Sequence, residues 1–291
     1  MGHNSGIHWT DDTFNPWWGC TKISPACDEC YADGMATRWA HDIWGPDAPR
    51  RFFGDKHWNE PLKWNRLAES TNTRRRCFSG SMCDIMERHH NPEINAQMDD
   101  CRTRLYNLTE RTPWLDWLFL TKRPQEFRKK LPIDWLGLAN PRPNVWLMTT
   151  VEHQDYIWRL KELMTAPAIV YGVSIEPIYS EIKLPKEFLD RGNRAWVILG
   201  GKTGPTLAPV NVEWARNLRD VCLEAGVPFH FKQWGDANSE GRRVGAKHAG
   251  RMLDGREWDG VPLDPANNVG RYKDLGWEPA GTAPVELPIL T

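Results

Sequence analysis

Short apolar runs recur along this chain, and each is followed by a polar or glycine-containing turn and then by a stretch with helical periodicity. Continuous apolar strands that alternate with helices are typical of a parallel sheet covered by helices. An extended segment at residues 9–18 precedes the other runs. With it, the pattern predicts seven strands, of which the other six are residues 76–82, 117–121, 145–151, 169–175, 196–200 and 227–232. Seven such units predict an α/β fold, a partial or complete parallel (β/α) barrel of the TIM type.

Helical periodicity is found between the predicted strands. The candidate helices are residues 30–44, 61–69, 92–111, 153–165 and 211–225. The last has the clearest boundaries, because Asn211 is a favourable N-cap and Gly226 is a favourable stop. The first eight residues are small and polar, and we expect them to be loose.

The composition changes beyond the last predicted strand. Residues 236–291 are rich in Gly, Pro, Asn and Asp, and the segment 253–256 (LDGR) resembles a hairpin turn. Trp258 and Trp277 are the main apolar anchors of this region. The sequence therefore predicts two parts: a barrel at 1–235 that includes an N-terminal cysteine loop, and an irregular extension at 236–291 that wraps over it.

Bulk composition narrows the class of protein. The chain has 291 residues with 37 basic and 38 acidic side chains, so no overall charge recruits nucleic acid or membrane. It has seven cysteines, an odd number, with no secretory signal and no apolar run of membrane-spanning length. These features predict a reducing, cytoplasmic location and no membrane partner. The 17 tryptophans predict an aromatic-rich core with some rings lining a cleft.

Three of the seven cysteines fall within eleven residues. Cys20, Cys27 and Cys30 have the spacing C-x6-C-x2-C, directly after the first predicted strand. Pro25 keeps the middle of the motif from being helical, so the sequence predicts a loop there. A loop can turn three thiolates toward one point, where they bind a soft metal: zinc or an iron–sulfur cluster.

The number of ligands separates the possible metals. A structural zinc site is normally closed by four ligands, and neither His8 nor His41 has finger-like spacing to the cysteines. Three cysteines with an open position instead suit a [4Fe-4S] cluster whose fourth iron binds something exchangeable. A zinc site and three unrelated thiols remain the alternatives. The other cysteines are widely scattered at Cys77, Cys83, Cys101 and Cys222.

Polar residues follow the other six predicted strands. In parallel α/β folds the carboxyl ends of the strands meet at one rim, where ligands bind. The candidate cofactor-binding residues at this rim are Ser81, Asp84, Lys122, Thr150, Ser174, Glu176, Gly200 and Gly201. Lys122 suits a carboxylate, and the Gly200–Gly201 pair lets the backbone approach a ligand closely, although a tight turn alone explains it equally well.

The candidate catalytic residues lie at the same rim. Lys232 and Gln233 end the last strand and are placed to orient a substrate, and Glu152 follows the fourth strand as a carboxylate for an ammonium or a ribose. Any one of these residues is weak evidence, because strand ends are polar anyway. Six polar strand ends beside a thiolate loop predict a site.

The motifs together resemble a known family. The chain contains NPWWGCTKISPACDECYA, SMCD, LTKRP, TVE, SIEP, GGKTGP and KQWG. Over about residues 7 to 260 this combination resembles a phage- and prophage-associated three-cysteine-motif family of unknown function. That family looks like a divergent, spore photoproduct lyase-like branch of the radical S-adenosylmethionine (radical SAM) superfamily.

The resemblance implies a cofactor and a reaction. It implies a [4Fe-4S] cluster on Cys20, Cys27 and Cys30, with S-adenosylmethionine (SAM) at the open iron and its carboxylate on Lys122. The reduced cluster would cleave SAM to methionine and a 5′-deoxyadenosyl radical, with electrons from a donor such as flavodoxin or ferredoxin. The resemblance points to a nucleobase, a nucleotide or DNA as the substrate, which the sequence does not identify.

The cysteine loop departs from the superfamily pattern. The first cysteine gap has six residues instead of three, and Glu29 stands where an aromatic residue usually precedes the last cysteine. This predicts a different pose for SAM. Lys202 follows the glycine pair where the resembled family carries an acidic residue. Either that position is not essential or this protein takes a different ligand.

Two other functions are consistent with the residues. The first is a non-catalytic zinc or iron–sulfur protein that binds nucleic acid. For a nucleotide or DNA substrate of a radical SAM enzyme, the groups that could meet phosphates are the basic clusters at 74–76, 102–104, 122–123 and 128–130. Such clusters are more often simply solvated. The second is a barrel hydrolase whose metal is held by Asp84 with His89 and His90. Adjacent histidines point in different directions, which makes them a poor chelating pair.

Overall fold

The computed structural model describes residues 2–137 and 141–262 of the chain. The strands are β1 (Asp12–Phe14), β2 (Trp17–Trp18), β3 (Arg51–Phe52), β4 (Arg75–Ser79), β5 (Leu115–Thr121), β6 (Val145–Thr150), β7 (Tyr171–Ile175), β8 (Ala195–Gly200) and β9 (Phe229–Gln233). The helices are α1 (Tyr31–Arg38), α2 (Asp55–Trp58), α3 (Glu60–Ser70), α4 (Pro92–Arg111), α5 (Phe127–Lys130), α6 (Trp158–Leu163), α7 (Lys186–Leu189), α8 (Val212–Glu224) and α9 (Ala246–Ala249).

Seven strands form one parallel sheet in the order β1-β4-β5-β6-β7-β8-β9. The sheet is curled into a half-barrel with β1 and β9 at its edges. The parallel α/β architecture and the seven predicted strands are confirmed, and the barrel is a partial one. A separate antiparallel ribbon pairs β2, which directly precedes the cysteine loop, with β3, which follows α1. None of the described helices has the length and apolar character of a transmembrane span.

The two faces of the sheet carry different cores, because successive residues of a strand point to opposite sides. The helix-covered face holds the larger cluster, which includes Trp117 and Phe119 of β5 packed with helical residues such as Leu105. The inner face carries a second cluster around Leu118. Its register partners, Phe78 on β4 and Trp146 on β6, belong to the same cluster.

Tryptophans fill the base of the half-barrel. The rings of Trp9 and Trp146 meet that of Trp196 edge-on, with centroids 6.1 and 6.0 Å apart. Trp9 precedes the edge strand β1 and Trp196 lies on β8, so this contact spans the open side of the sheet. The abundance of tryptophan is thus used as predicted: buried rings close the base, and Trp9 also lines the cavity above it.

The N-terminal residues are not loose, contrary to the sequence-based expectation. The amide of Thr13 donates to the carbonyl oxygen of Gly2 (3.0 Å), and the buried carboxylate of Asp12 accepts from the amide of Asn4 (3.1 Å). Ile7 packs on the inner cluster. A small polar sequence is ordered here because a strand-edge carboxylate and an apolar seam lie beneath it.

The described part of the C-terminal extension covers the edge strand β9. The indole of Trp196 donates to the carbonyl oxygen of Gly260 (2.8 Å), and the main chain of Trp258 accepts from the amide of Phe231 (2.9 Å). The predicted hairpin turn is present, since Leu253 and Arg256 bridge across Asp254 and Gly255, both with positive φ. Trp277 lies outside the described residues, and the boundary at 235 stays a prediction.

Three of the five predicted helices are found within one or two residues of their expected bounds, as α3, α4 and α8. The side chain of Asn211 caps α8 by accepting from the amide of Glu213 (2.9 Å), as predicted. The segment 30–44 is helical only as far as Arg38, because the chain leaves the helix at Ala40, which has a φ of 56°. The segment 153–165 is divided into a 3₁₀ turn and α6.

His230 of β9 makes the stability of the fold dependent on pH. Only 1% of the residue is exposed and neither ring nitrogen is hydrogen-bonded. Burial lowers its pKa to about 3, against a partial opposing effect of Asp259. The unfolded chain takes up this proton below about pH 6.5 and the folded chain does not, so stability falls as the pH falls.

We expect the wild-type protein to lose about 2 kcal/mol of unfolding free energy from this group between pH 7 and pH 5. His230→Phe keeps a planar aromatic ring, although a larger one, and removes the titration, so its loss over the same range is smaller by that amount. Urea unfolding at the two pH values measures both. Equal losses in the two proteins would show that His230 is protonated at little cost in the fold.

Candidate functional site

One cavity lies where the carboxyl ends of the strands meet the cysteine loop. Its volume is about 480 Å³, which is within the usual range for a small-molecule site. All three clustered cysteines line it. So do most of the residues predicted from the strand ends: Ser81, Asp84, Lys122, Thr150, Ser174, Glu176, Gly201, Lys232 and Gln233. Residues that are more than 200 positions apart in sequence are thus brought to one surface by the parallel topology.

The cysteine loop starts at the end of the β2–β3 ribbon and returns into α1. The backbone of Cys20 forms an isolated β-bridge with Trp44. The amide of Gly19, the preceding residue, donates to the carbonyl oxygen of Met82 (2.9 Å). A single 3₁₀ turn at Pro25–Cys27 carries the second cysteine, where proline is tolerated because it begins the turn. Cys30 is the N-cap of α1. The three thiols are free and partly exposed.

The donor set of this loop suits a soft metal. Three thiols facing one cavity are the ligands that iron–sulfur clusters and zinc prefer. In the described residues no group of three or more His, Cys, Asp or Glu side chains is close enough to hold a metal ion. Burial and the nearby carboxylate of Glu87 raise the pKa of the Cys20 thiol, so without a cation it stays protonated. The residues therefore fit the chemistry, and binding would have to draw the thiols together.

Two arginines, Arg50 buried and Arg123 partly buried, fix the start of the loop by holding Thr21. Arg123 donates to the carbonyl oxygen of Thr21 (2.8 Å) and Arg50 donates to its hydroxyl (3.0 Å). Each arginine is in turn paired with a buried carboxylate, Arg123 with Asp84 (2.7 Å) and Arg50 with Glu87 (2.7 Å). The position of Cys20 is thus set by side chains from three different parts of the chain.

Asp84 is committed to this framework. Its carboxylate accepts from the Thr121 hydroxyl (2.5 Å), the amides of Lys122 and Met86, and the Arg123 guanidinium. Burial alone would raise the pKa of Asp84, but the charge of Arg123 and these hydrogen bonds outweigh it, and the pKa is lowered. Asp84 lines the cavity as predicted, with its hydrogen-bonding capacity largely used by the protein.

Two oppositely charged residues that line the cavity, Glu29 and Lys202, meet in space. The ammonium of Lys202 lies 3.1 Å from the carboxylate of Glu29, which also accepts from the hydroxyl and amide of Thr206. These hydrogen bonds from Thr206, together with Lys202, lower the pKa of Glu29. The Glu29–Lys202 bridge thus ties the cysteine loop to the turn after β8. Two residues that look unrelated in sequence thus form one contact.

A second ion pair lies at the opposite wall. Glu176 accepts from the ammonium of Lys232 (2.6 Å) and from the side-chain amide of Gln233 (3.3 Å). A Cβ at Gly200 would lie 2.9 Å from the Glu176 carboxyl carbon, so the glycine makes room for this side chain. At Gly201 a Cβ would lie 2.0 Å from the carbonyl oxygen of Trp234. The glycine pair therefore serves close packing within the protein.

Some polar groups in the cavity have fewer partners. The side chain of Lys122 makes no hydrogen bond or ion pair with the described residues, although its backbone amide is bound to Asp84. Thr150 and Ser174 are register partners on β6 and β7, and their side chains face the cavity above the aromatic base. These groups are the ones available to a ligand.

Other predicted residues lie elsewhere. Glu152 is fully buried, is paired with Arg159 (2.8 Å) and does not line the cavity. His89 is bound to the backbone at Asn91 and Ala48 and stacks on His90, so neither histidine meets Asp84.

The basic clusters predicted to meet phosphates are mostly paired inside the protein. Three consecutive arginines bind carboxylates of the N-terminal region and of β5, and Arg102 donates to backbone carbonyls. The pairs are Arg74 with Asp116, Arg75 with Asp12 and Arg76 with Asp11. Their role is structural, and their pairing differs from the simple solvation that is more usual for such clusters.

Sequence reasoning missed several residues of the site. Ile7 and Trp9 line the cavity from the N-terminal segment, and Tyr179 follows β7 on the same wall. Tyr31 donates its hydroxyl to the carbonyl oxygen of Ser81 (2.7 Å). Of these additional residues, Glu29 alone could have been predicted from the sequence. Its charge is opposite to that of Lys202, and both residues stand at unusual positions of their motifs, which suggests that they pair.

The chain matches a family model over nearly all of its described length. The family model described as "Protein of unknown function (DUF5131)" matches residues 4–262, which include every residue that lines the cavity. Neither the curated proteins nor the solved structures contain a match to the chain.

Proposed function

The chain belongs to the DUF5131 family, and we propose that it is a radical SAM enzyme that uses a [4Fe-4S] cluster to cleave S-adenosylmethionine. One observation carries the proposal: three free thiols of a single loop line the same cavity as the polar strand ends of a parallel half-barrel. A loop-borne set of three soft ligands leaves one position open, which suits a cluster that shares an iron with a ligand.

The residues of this chain have distinct roles in the proposal. Cys20, Cys27 and Cys30 are the cluster ligands, and Arg123 with Arg50 fixes the loop at Thr21. When bound, the reduced cluster supplies the electron that splits SAM into methionine and a 5′-deoxyadenosyl radical. The physiological reductant we propose is a small electron carrier such as flavodoxin or ferredoxin.

The side chains of the cavity divide between cofactor and substrate. Lys122 has the unpaired ammonium that suits the carboxylate of SAM, while Thr150 and Ser174 supply hydroxyls near the cavity base. Lys232 and Gln233, held by Glu176, present polar groups to a substrate. Glu152 is buried and paired with Arg159, so we assign it no catalytic role.

The decisive experiment reconstitutes the protein with iron and sulfide in the absence of oxygen. Dithionite and SAM are then added, and 5′-deoxyadenosine is measured by chromatography. We expect about four irons per chain and formation of 5′-deoxyadenosine. Stoichiometric zinc instead of iron, or a cluster that never cleaves SAM, would refute the proposal and favour a metal-stabilised binding protein.

Substitution of Lys122 tests the assignment of the SAM carboxylate. Lys122→Met keeps the side-chain length and removes a charged hydrogen-bond donor, which contributes roughly 1.5 to 3 kcal/mol. We therefore expect the Kd for SAM to rise about tenfold or more, as measured by isothermal titration of the reconstituted protein. Lys161→Met on the exposed side of α6 is the matched control and should bind SAM normally. An unchanged Kd for Lys122→Met would assign the carboxylate to another residue.

A further inference from the structure

Aromatic rings form a continuous outer surface beside the cysteine loop. We call it the aromatic ledge and define it as Trp18, Trp39, Arg51, Phe53 and His57. Trp18 and Trp39 are stacked, with centroids 5.4 Å apart and an interplanar angle of 26°. The guanidinium carbon of Arg51 lies 4.7 Å from the centroid of Trp18 and 5.4 Å from that of Phe53. The Phe53 and His57 centroids are 4.3 Å apart.

The ledge is open to solvent, unlike the tryptophans at the base of the half-barrel. Trp39 is 45% exposed and Arg51 is also exposed, whereas Trp17, Trp117, Trp146 and Trp196 are fully buried. Exposed, stacked rings are costly to hydrate, and no described segment covers the pair formed by Trp18 of β2 and Trp39 at the end of α1. They are preorganised to receive another flat group.

The charge of Arg51 is available within this surface. Its guanidinium contacts the ring of His41, and it has no carboxylate partner among the described residues. Arg74, Arg75, Arg76 and Arg123, in contrast, each bind a carboxylate. An arginine held between aromatic rings without an acidic partner is suited to a phosphate next to a stacked base.

A shallow basin of about 530 Å³ continues the ledge and is lined by Phe53, Gly54, Asp55, Lys56, His57 and Glu60. Its two carboxylates are already neutralised, since Asp55 pairs with Arg104 and Glu60 with Lys63. Lys56 has no ion-pair partner in the described ranges. The basin therefore does not repel an anion.

His57 contributes a neutral polar edge to the basin. Its Nε2 lies 2.8 Å from the carbonyl oxygen of Asn15, which can only accept, so the ring donates there and Nδ1 is left as an acceptor. Burial lowers the pKa of His57, so the ring is uncharged at neutral pH. A neutral acceptor beside an aromatic ring matches the N–H donors of nucleobases, which every base carries as a ring N–H or an amino group.

We propose that the aromatic ledge binds single-stranded nucleic acid, with a base stacked on Trp39 and a phosphate on Arg51. The surface is joined to the cysteine loop, because only Gly19 separates Trp18 from Cys20 and strand β2 continues directly into the loop. A strand on the ledge would lie beside the candidate site. The proposal stands independently of the cysteine chemistry, since none of the ledge residues lines the main cavity.

The test uses fluorescence anisotropy with labelled oligo(dT) and oligo(U) strands of about 20 nucleotides, longer than a typical single-strand site. We expect Trp39→Ala to weaken binding by about tenfold, since stacking of one base contributes roughly 1 to 3 kcal/mol. Trp158→Ala is the matched control, because Trp158 is similarly exposed (42%) on the distant helix α6 and should change binding by less than about twofold.

Arg51→Ala provides a second, independent readout. Loss of one phosphate contact should weaken binding and reduce the slope of log K against log salt by about 0.7. The preference for DNA or RNA follows from the two probes. Absence of binding by the wild-type protein, equal affinity for a duplex of the same length, or equal losses in Trp39→Ala and Trp158→Ala would each overturn the proposal.

Discussion

Cys27→Ala should abolish both the cluster and the reaction. With two cysteines left, the loop lacks the third ligand that holds the cluster in place, so the iron content after reconstitution should fall from about four per chain to near zero. Formation of 5′-deoxyadenosine should then be undetectable. Iron analysis and chromatography of the reaction mixture measure the two losses separately.

The cysteines outside the loop provide matched controls. Cys101→Ala replaces a partly exposed free thiol on α4, and Cys222→Ala replaces a buried one on α8. Both should keep the wild-type iron content. If Cys27→Ala retains four irons, or if Cys101→Ala loses them as well, the cluster is not held by the C-x6-C-x2-C loop. A preparation that loses iron but keeps its melting temperature would confirm that the fold does not depend on the metal.

Arg123→Met should destabilise the protein by about 3 to 5 kcal/mol. The substitution leaves the Asp84 carboxylate buried without its cation, and a buried charge that loses its partner is far more costly than a surface one. It also removes the hydrogen bond to the carbonyl oxygen of Thr21, so the start of the cysteine loop is released. Urea unfolding at neutral pH measures the loss of stability.

The pH dependence of this effect gives an independent check. In the wild-type protein the pKa of Asp84 is lowered, so its contribution to stability is present above about pH 4 and is lost only as the pH falls through the lowered value. In Arg123→Met, burial without the cation should raise that pKa above the unfolded value. The stability difference between the two proteins should therefore shrink as the pH approaches 4.

Two further variants separate a lost pair from a lost arginine. Asp84→Asn combined with Arg123→Met removes both charges and should recover part of the stability. Lys186→Met breaks an exposed ion pair with Asp190 and should cost less than about 1 kcal/mol. A loss of that small size for Arg123→Met would mean that water reaches Asp84 and that the arginine does not order the loop.

The fold was largely predictable because parallel strands that are buried on both faces leave a strong mark in sequence. The apolar runs, such as 145–151 around β6, identify the strands of the sheet. Chain order alone gives its topology, since each strand of the main sheet pairs with the next one of that sheet, and only the β2–β3 ribbon stands apart. Segment boundaries at Arg38 and Leu163 were less predictable, because they depend on local backbone conformation at single residues. The docking of residues 2–8 was missed, because it depends on the distant carboxylate of Asp12 and the apolar seam.

The candidate site was predictable in location and less so in the state of each residue. Strand-end position brought Ser174 and Lys232 into the cavity as expected. It did not reveal that Asp84 is consumed by Arg123, or that Glu152 turns away to Arg159. Those outcomes depend on which side chain finds a partner across the sheet, and a strand-end pattern carries no information about that.

The Glu29–Lys202 bridge has a consequence for how this family diverges. Because the two residues form one contact, a change of charge at position 29 leaves the ammonium at position 202 without its carboxylate, and a change at 202 leaves the carboxylate beside Cys30 without its cation. Mutations at the two positions should therefore be inherited together. Relatives with an acidic residue at 202 should lack one at 29, and this coupled exchange would divide the family into lineages with differently tethered cysteine loops.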